Sequence, residues 1–221
     1  MKLQPGCTVH ARNQADQSMR SRSFALLSSL VLGVVSHAQS AGLGIKGGPL
    51  ASSVKAINLR TTPIAGATLG LYVPWGIGPR MELQPEILVS TMGARYTEPD
   101  ADQFTVRSIY LQVPLCLKLY VGNGFNFSGG YQFGKPLAAQ RTDDAGTTDV
   151  LDRYETLDMG FVVGAGIDFQ NGLDLSLRGY SAMTPSLRND DALFPKNKAL
   201  QFTFGYRFTQ FKSTRTGRRR G

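Results

Sequence analysis

From residue 40 onward, apolar and polar positions alternate one for one, in segment after segment. In 79–92, Met81, Leu83, Pro85, Ile87 and Val89 share one face. Glu82, Gln84, Glu86 and Ser90 share the other, with Leu88 breaking the polar row. A β-strand sends successive side chains to opposite faces, so the pattern predicts a strand with an oily side and a charged side. Residues 105–121 repeat it, with Ile109, Leu111, Val113, Leu115, Leu117, Leu119 and Val121 opposite Ser108, Tyr110, Gln112, Cys116, Lys118 and Tyr120. The same period runs through 64–74, 125–136, 157–169, 173–184 and 198–208, and more weakly through 41–48, which makes eight predicted strands.

The predicted connections alternate in length. Short ones fall at Pro74–Pro79, Gly122-Asn123-Gly124 and Gln170-Asn171-Gly172, and Asn-Gly suits a tight hairpin because both residues tolerate positive φ. Long ones span 50–63, 93–104, 137–156 and 185–197 and are rich in Asp, Thr, Pro and Ala. Tight turns at one end and long loops at the other predict an all-β fold: an eight-stranded antiparallel up-and-down β-barrel of the transmembrane type.

Which face meets water decides between a membrane barrel and a soluble one. The polar face is rich in glycine and in charges of both signs: Lys46, Glu82, Glu86, Lys118, Asp158, Asp174, Arg178 and Arg207. Small residues and paired charges suit the cramped interior of eight strands. The oily face carries Trp75, Phe125, Phe169 and Phe208 where it meets the short turns, as a membrane-interface aromatic girdle would. Strands of about 10 residues are long enough to cross the hydrocarbon when tilted. The alternative is a soluble, lipocalin-like ligand-binding barrel with the same alternation turned inside out. It would expose Gly44, Gly66, Gly70, Gly160, Gly164 and Gly166, where glycine only weakens strands.

Residues 19–38 change the picture of the first stretch. Arg20 and Arg22 precede an apolar run from Phe24 to Val35, and Ser36-His37-Ala38 ends in small residues at a signal peptidase's positions. This is a secretory signal pattern, with cleavage expected after Ala38 and translation expected to start at Met19. The predicted organisation is a signal region 1–38, a barrel 39–208 and a basic tail 209–221. The net charge of +8 resides in the two flanks; 39–208 holds equal numbers of basic and acidic side chains, so nucleic acid is not an expected partner. The only histidines, His10 and His37, precede the cleavage point, as does Cys7. The mature chain keeps Cys116, expected as a buried free thiol on the polar face. His-based triads and His-ligated metal sites are thereby excluded from it, and no cofactor, metal or catalytic residue is expected. Hydrophobic residues at 42% and charged ones at 18% exclude a disordered chain.

The segments GLGIKGG (42–48), LQPEILVSTMGARY (83–96), YLQVPLCLKLYVGNGFNFSGGYQFG (110–134), GFVVGAGIDFQNGLDLSLRGY (160–180) and FGYRF (204–208) together resemble the outer-membrane β-barrel domain family of Bacteroidetes-type bacteria, small porin-family or PorT-like proteins. The resemblance covers 40–208. It implies an integral protein of the bacterial outer membrane, with outer-membrane lipid and the barrel insertion machinery as partners, and it carries over no catalytic residue. Proteins of this type end on the aromatic residue of the last strand, here Phe208, whereas this chain runs on through Arg218-Arg219-Arg220-Gly221.

Two strings look like chemistry and fail on context. Gly42–Gly47 fits a dinucleotide fingerprint but has no following helix, and Ser52–Lys55 fits an acylase motif but is expected in a loop without its partner motifs. The charged interior is the constellation with content, Lys118, Arg178 and Arg207 being candidate partners of Glu82 and Glu86. It is expected to be a plug of paired side chains, with a narrow channel or a secretion-assisting barrel as alternatives. The loop 137–156, with Asp143, Asp144, Asp149 and Asp152 beside Arg141 and Arg153, is the candidate site for an external ligand. A structural or interaction role, not an enzyme, is the expected function.

Overall fold

The computed structural model describes residues 41–55, 60–97, 103–187 and 195–208. The expected signal region and basic tail lie outside the described residues. Ten strands follow in chain order: β1 Gly44–Lys55, β2 Arg60–Tyr72, β3 Trp75–Gly78, β4 Met81–Thr97, β5 Phe104–Gly122, β6 Phe125–Asp143, β7 Gly146–Asp149, β8 Asp158–Asp168, β9 Leu173–Ala182 and β10 Lys196–Arg207. Every pairing is antiparallel. Eight long strands close a ring in the order β1-β2-β4-β5-β6-β8-β9-β10, sealed where β1 pairs with β10 from Gly44↔Arg207 to Lys55↔Lys196. β3 and β7 are four-residue strands that pair with β4 and β6 outside this ring. The expected up-and-down barrel is therefore present, as are the short turns, where Asn123, Gly124 and Gly172 take positive φ.

The polar face points inward and the oily face outward. Glu82 and Gln84 are fully buried, while Leu69 is 61% and Val163 65% exposed. The soluble, lipocalin-like alternative is thus corrected: the interior holds charges, and an apolar belt wraps the outside. On β5 the belt runs from Ile109 to Val121, on β6 from Phe125 to Leu137 and on β10 from Leu200 to Phe208, long enough for tilted strands to cross hydrocarbon.

Beyond the belt, towards the long connections, the alternation inverts. Along β4 the inward row reads Glu82, Gln84, Glu86, Leu88, Ser90, Met92, Ala94, Tyr96, and the outward row passes from Ile87 and Val89 to Thr91 and Arg95. The distal interior is an apolar core that includes Leu50, Val54, Met92, Tyr96, Val106 and Tyr154. There the strands build a soluble kind of barrel, oily inside and polar outside. That inversion corrects three expected loops. Residues 50–55 and 60–63, 93–97, and 137–143 with 146–149 are strand, because water-facing backbone past the belt still pairs. Ser52 and Lys55 accordingly lie in β1, not in a loop. Pro74–Pro79 is also more than a turn, since Trp75–Gly78 pairs with β4.

Glycine on the inner face makes room for large partners. A Cβ on Gly44 would overlap the ring of Tyr72, and one on Gly205 would overlap the carboxylate of Asp174. The two partners are themselves bonded, Tyr72 Oη to Asp174 Oδ2.

Two stability measurements follow, read as urea unfolding in lipid vesicles. Leu115→Arg, at the middle of the belt on β5, should cost about 2–4 kcal/mol, while Thr142→Arg, outward on β6 beyond the belt, should cost about 0–1 kcal/mol. Gly44→Ala should cost about 1–3 kcal/mol by forcing Tyr72 out of place. Equal costs for the two arginines would mean the belt is misplaced.

Candidate functional site

All eight charged residues expected on the inner face are buried: Lys46, Glu82, Glu86, Lys118, Asp158, Asp174, Arg178 and Arg207. Strand alternation aims them inward, and the ring brings together strands that are not neighbours. Two ionic groups and a separate carboxylate result.

The first group lies at the short-turn end. Arg207 on β10 donates Nη1 to Glu82 Oε2 at 2.8 Å and Nη2 to Glu82 Oε1 at 3.2 Å. Its Nη2 also meets Asp168 Oδ2 at 2.6 Å. Lys118 Nζ sits 3.3 Å from both carboxylate oxygens of Asp168. Tyr120 donates its hydroxyl to Asp168 at 2.6 Å, and Asn126 Nδ2 reaches Asp168 Oδ1 at 3.1 Å. Asp168 is therefore the hub, and it was not among the expected site residues. It is the last residue of β8, and that strand-end position hid its reach to Lys118 on β5 and Arg207 on β10. Lys118 is corrected likewise: its Cα partner is Glu82, yet its ion pair is with Asp168.

The second group lies further along the lumen, where Glu86 follows Glu82 on the inward face of β4. Glu86 on β4 accepts Lys46 Nζ from β1 at 2.9 Å and Arg178 Nη1 from β9 at 2.8 Å. Gln84 Nε2 also donates to Glu86. Lys46 Nζ stands 4.4 Å from the centre of the Tyr72 ring, a cation–π contact that links this group to Asp174 through the Tyr72 hydroxyl. Burying so many ions is expensive unless each is paired and hydrogen-bonded; Glu82, Glu86 and Asp168 each gain charge-assisted bonds from Lys or Arg, while Asp174 is held by the Tyr72 hydroxyl.

Asp158 stands apart. It accepts Tyr180 Oη at 2.9 Å and Asn197 Nδ2 at 2.7 Å, with no basic partner among the described residues. Its expected membership of the charge network is corrected to a hydrogen-bonded cluster with Tyr180, Asn197 and Tyr110, apart from the ion pairs. Some buried polar atoms make no bond within the protein: Gln84 Oε1, Gln132 Nε2, Asp174 Oδ1, Gln201 Nε2, and Nε and Nη2 of Arg178. Cys116 is a buried free thiol.

The four expected interface aromatics sit together at the short-turn end. Phe125 opens β6, Phe169 follows β8, Phe208 follows β10, and all three are exposed; Trp75, half-buried, opens β3. Phe125 packs edge-on to Phe127 with ring centres 5.1 Å apart, and Tyr206 to Phe208 at 5.7 Å.

At the other end, the candidate ligand loop is a hairpin and a short 3-10 turn, Leu151–Arg153. Its carboxylates serve local geometry: Asp143 accepts Ala145 N at 3.2 Å and Asp149 accepts Leu151 N at 2.9 Å. Arg141 pairs with Asp143 at 3.2 Å and lies 3.9 Å from the centre of the Phe104 ring, which stacks on Tyr96. Asp144, Asp152 and Arg153 are exposed. The turn also drops Tyr154 into the barrel mouth, edge-on to Tyr110 at 6.5 Å. This apolar cap was illegible in a segment read as polar loop.

Among solved structures, Neisserial surface protein A superposes with a TM-score of 0.51 at 11% identity, covering 77% of this chain and 100% of its own. The attachment invasion locus protein Ail of Yersinia pestis gives 0.42 at 15% identity, covering 76% of this chain and 99% of its own. OprG from Pseudomonas aeruginosa gives 0.42 at 13%, covering 78% and 98%. At such identities the likeness concerns the fold alone. No curated protein matches the sequence. Residues 37–188 match the family described as outer membrane protein beta-barrel domain. With that match over most of the barrel, a closed antiparallel ring, an inward charge network and an outward apolar belt, the chain belongs to the outer membrane protein beta-barrel domain family and is a barrel of the bacterial outer membrane.

Proposed function

We propose that this protein is a plugged outer-membrane barrel with a structural or interaction role, exported with cleavage after Ala38 and presenting its long-connection end outside the cell. The observation that carries the reading is the Glu86 group. One carboxylate on β4 ties β1 and β9, neither of which neighbours β4 in the ring, so its bonds run across the lumen and fill it. Glu82–Arg207 does the same between β4 and β10. The cap of Tyr154, Val150, Leu151 and Leu187 over the apolar core supports closure at the outer mouth. In this reading Trp75, Phe125, Phe169 and Phe208 anchor the inner interface, and the external hairpin around Asp144, Asp152 and Arg153 is where a partner would be met.

A second reading, the narrow conduit, is favoured by one observation: the unbonded polar atoms of Gln84, Gln132, Gln201 and Arg178 offer lumen donors and acceptors to a passing solute. A secretion-assisting role, as the PorT-like resemblance suggests, would work through the outer surface and leaves the lumen plugged.

Planar-bilayer recording separates the first two. The plugged barrel gives no stable conductance steps; reproducible steps from the unmodified protein would overturn the plug. Glu86→Ala should cost about 3–5 kcal/mol in urea unfolding, since it strands Lys46 and Arg178 without a counter-charge. The triple change Lys46→Met, Glu86→Gln, Arg178→Met should cost clearly less than Glu86→Ala. If both variants cost the same, the charges are not coupled.

A further inference from the structure

The outer wall over β1, β2, β4 and β5 carries a dent in the apolar belt. It is lined by Ile45, Ala67, Leu69, Leu71, Val89 and Ile109 and forms an open groove of about 510 Å³. Its cause is local. The β2–β4 register shifts between Pro63 and Thr68, and β2 presents the small Ala65 and Ala67 outward there. Thr91 Oγ1 accepts from Ala67 N at 2.9 Å and donates to Ala67 O at 3.2 Å, and Thr68, also on the lining, is buried and bonded to Ser90, so both threonines are taken up within the wall. The dent is thus apolar in effect.

Immediately beyond it lie cations. Arg107 is the next outward residue after Ile109 on β5, opposite Gly93 of β4. Arg95 is the next outward residue after Thr91 on β4, opposite Thr62 of β2, and Arg60 stands opposite Thr97. All three are exposed, and none forms an ion pair among the described residues. No described carboxylate faces outward on β1, β2, β4 or β5. The wall therefore reads, from belt to rim, apolar groove and then arginines with no ion-pair partner among the described residues.

We propose that this wall is a binding site for one phosphorylated, acylated lipid of the outer leaflet, an acyl chain lying in the groove and the headgroup phosphate held by Arg95 and Arg107, with Arg60 alongside. Charge complementarity selects this occupant. A second copy of the chain would set the same arginines against each other, and a neutral lipid would leave them unmatched. Arginine suits the role because its planar fork meets phosphate oxygens two at a time. The inference rests on the proposed orientation, with the long connections outside the cell, and stands whether or not the lumen conducts.

The test uses the full chain refolded in phosphatidylcholine nanodiscs, with diphosphoryl lipid A added as the probe and retained lipid counted by native mass spectrometry after detergent exchange. The expected result is selective retention of diphosphoryl lipid A over its dephosphorylated form. Arg95→Gln and Arg107→Gln should each weaken it about fivefold, as befits one basic residue at an anionic surface. Ala67→Leu, which fills the groove, should weaken it too. If Ala67→Leu fails to fold, judged by loss of heat-modifiable mobility on a gel, the exposed arginine variants decide alone. Equal retention of the dephosphorylated form overturns the headgroup site. Displacement by inorganic phosphate alone overturns the need for an acyl chain. A dimer that persists in the arginine variants and excludes the lipid would assign the wall to a second copy and overturn the proposal.

Discussion

The rest of the structure depends on the seam between β1 and β10. A backbone in hydrocarbon has no water to bond its N–H and C=O groups, so a sheet survives there only if its two edges meet. Once Gly44 through Lys55 pairs with Lys196 through Arg207, the ring has eight members, and that number fixes an interior just wide enough for side chains. The inner glycines, the size of Tyr72 and the crossing of the lumen by Arg178 and Arg207 are consequences of that width. A wider ring would leave Glu86 too far from β9 to be neutralised by it. The ion pairs are thus set by the closure and in turn hold opposite walls at a fixed separation.

The alternation in 79–92 and 105–121 was enough to read the strands, their inward faces and the barrel class, because a half-buried strand writes its environment into every second residue. The partners of the charges were not readable. Lys118 faces Glu82 across one ladder and yet pairs with Asp168, because its long side chain reaches past β6 to the end of β8. The strand extensions beyond the belt were missed for another reason. Around Leu88 to Met92 the inward row turns from polar to apolar, so a reading that equates oily with outward loses the strand where the surrounding medium changes. Residues 137–149 looked like loop because their outward positions are polar, although their backbone continues the sheet.

Charge counting misled in a similar way. The barrel region is neutral in total, which removed nucleic acid from consideration, but neutrality of the sum conceals a division of labour. Inside, Glu82, Glu86 and Asp168 are matched to Lys46, Lys118, Arg178 and Arg207. Outward cations such as Lys55, Arg60, Arg95, Arg107 and Lys198 gather beyond the belt, and Lys55 even lies directly across from Lys196. Like charges on adjacent strands cost stability unless something anionic lies over them, so the outer surface carries information that composition averages away.

The seam also dictates an order of assembly. Glu82 and Arg207 are 125 positions apart in the chain, and Tyr72 and Asp174 are 102 apart. The first waits for the final strand, β10, to be made and brought round, and the second waits for β9, so both contacts form late in assembly. Contacts of such long range reward the chain only at the last step. A half-built sheet would expose unpaired ions on one face and bare ladder edges at both ends, so it could not rest in the bilayer as a stable intermediate. The arrangement that makes the finished wall rigid thereby makes its insertion all-or-none.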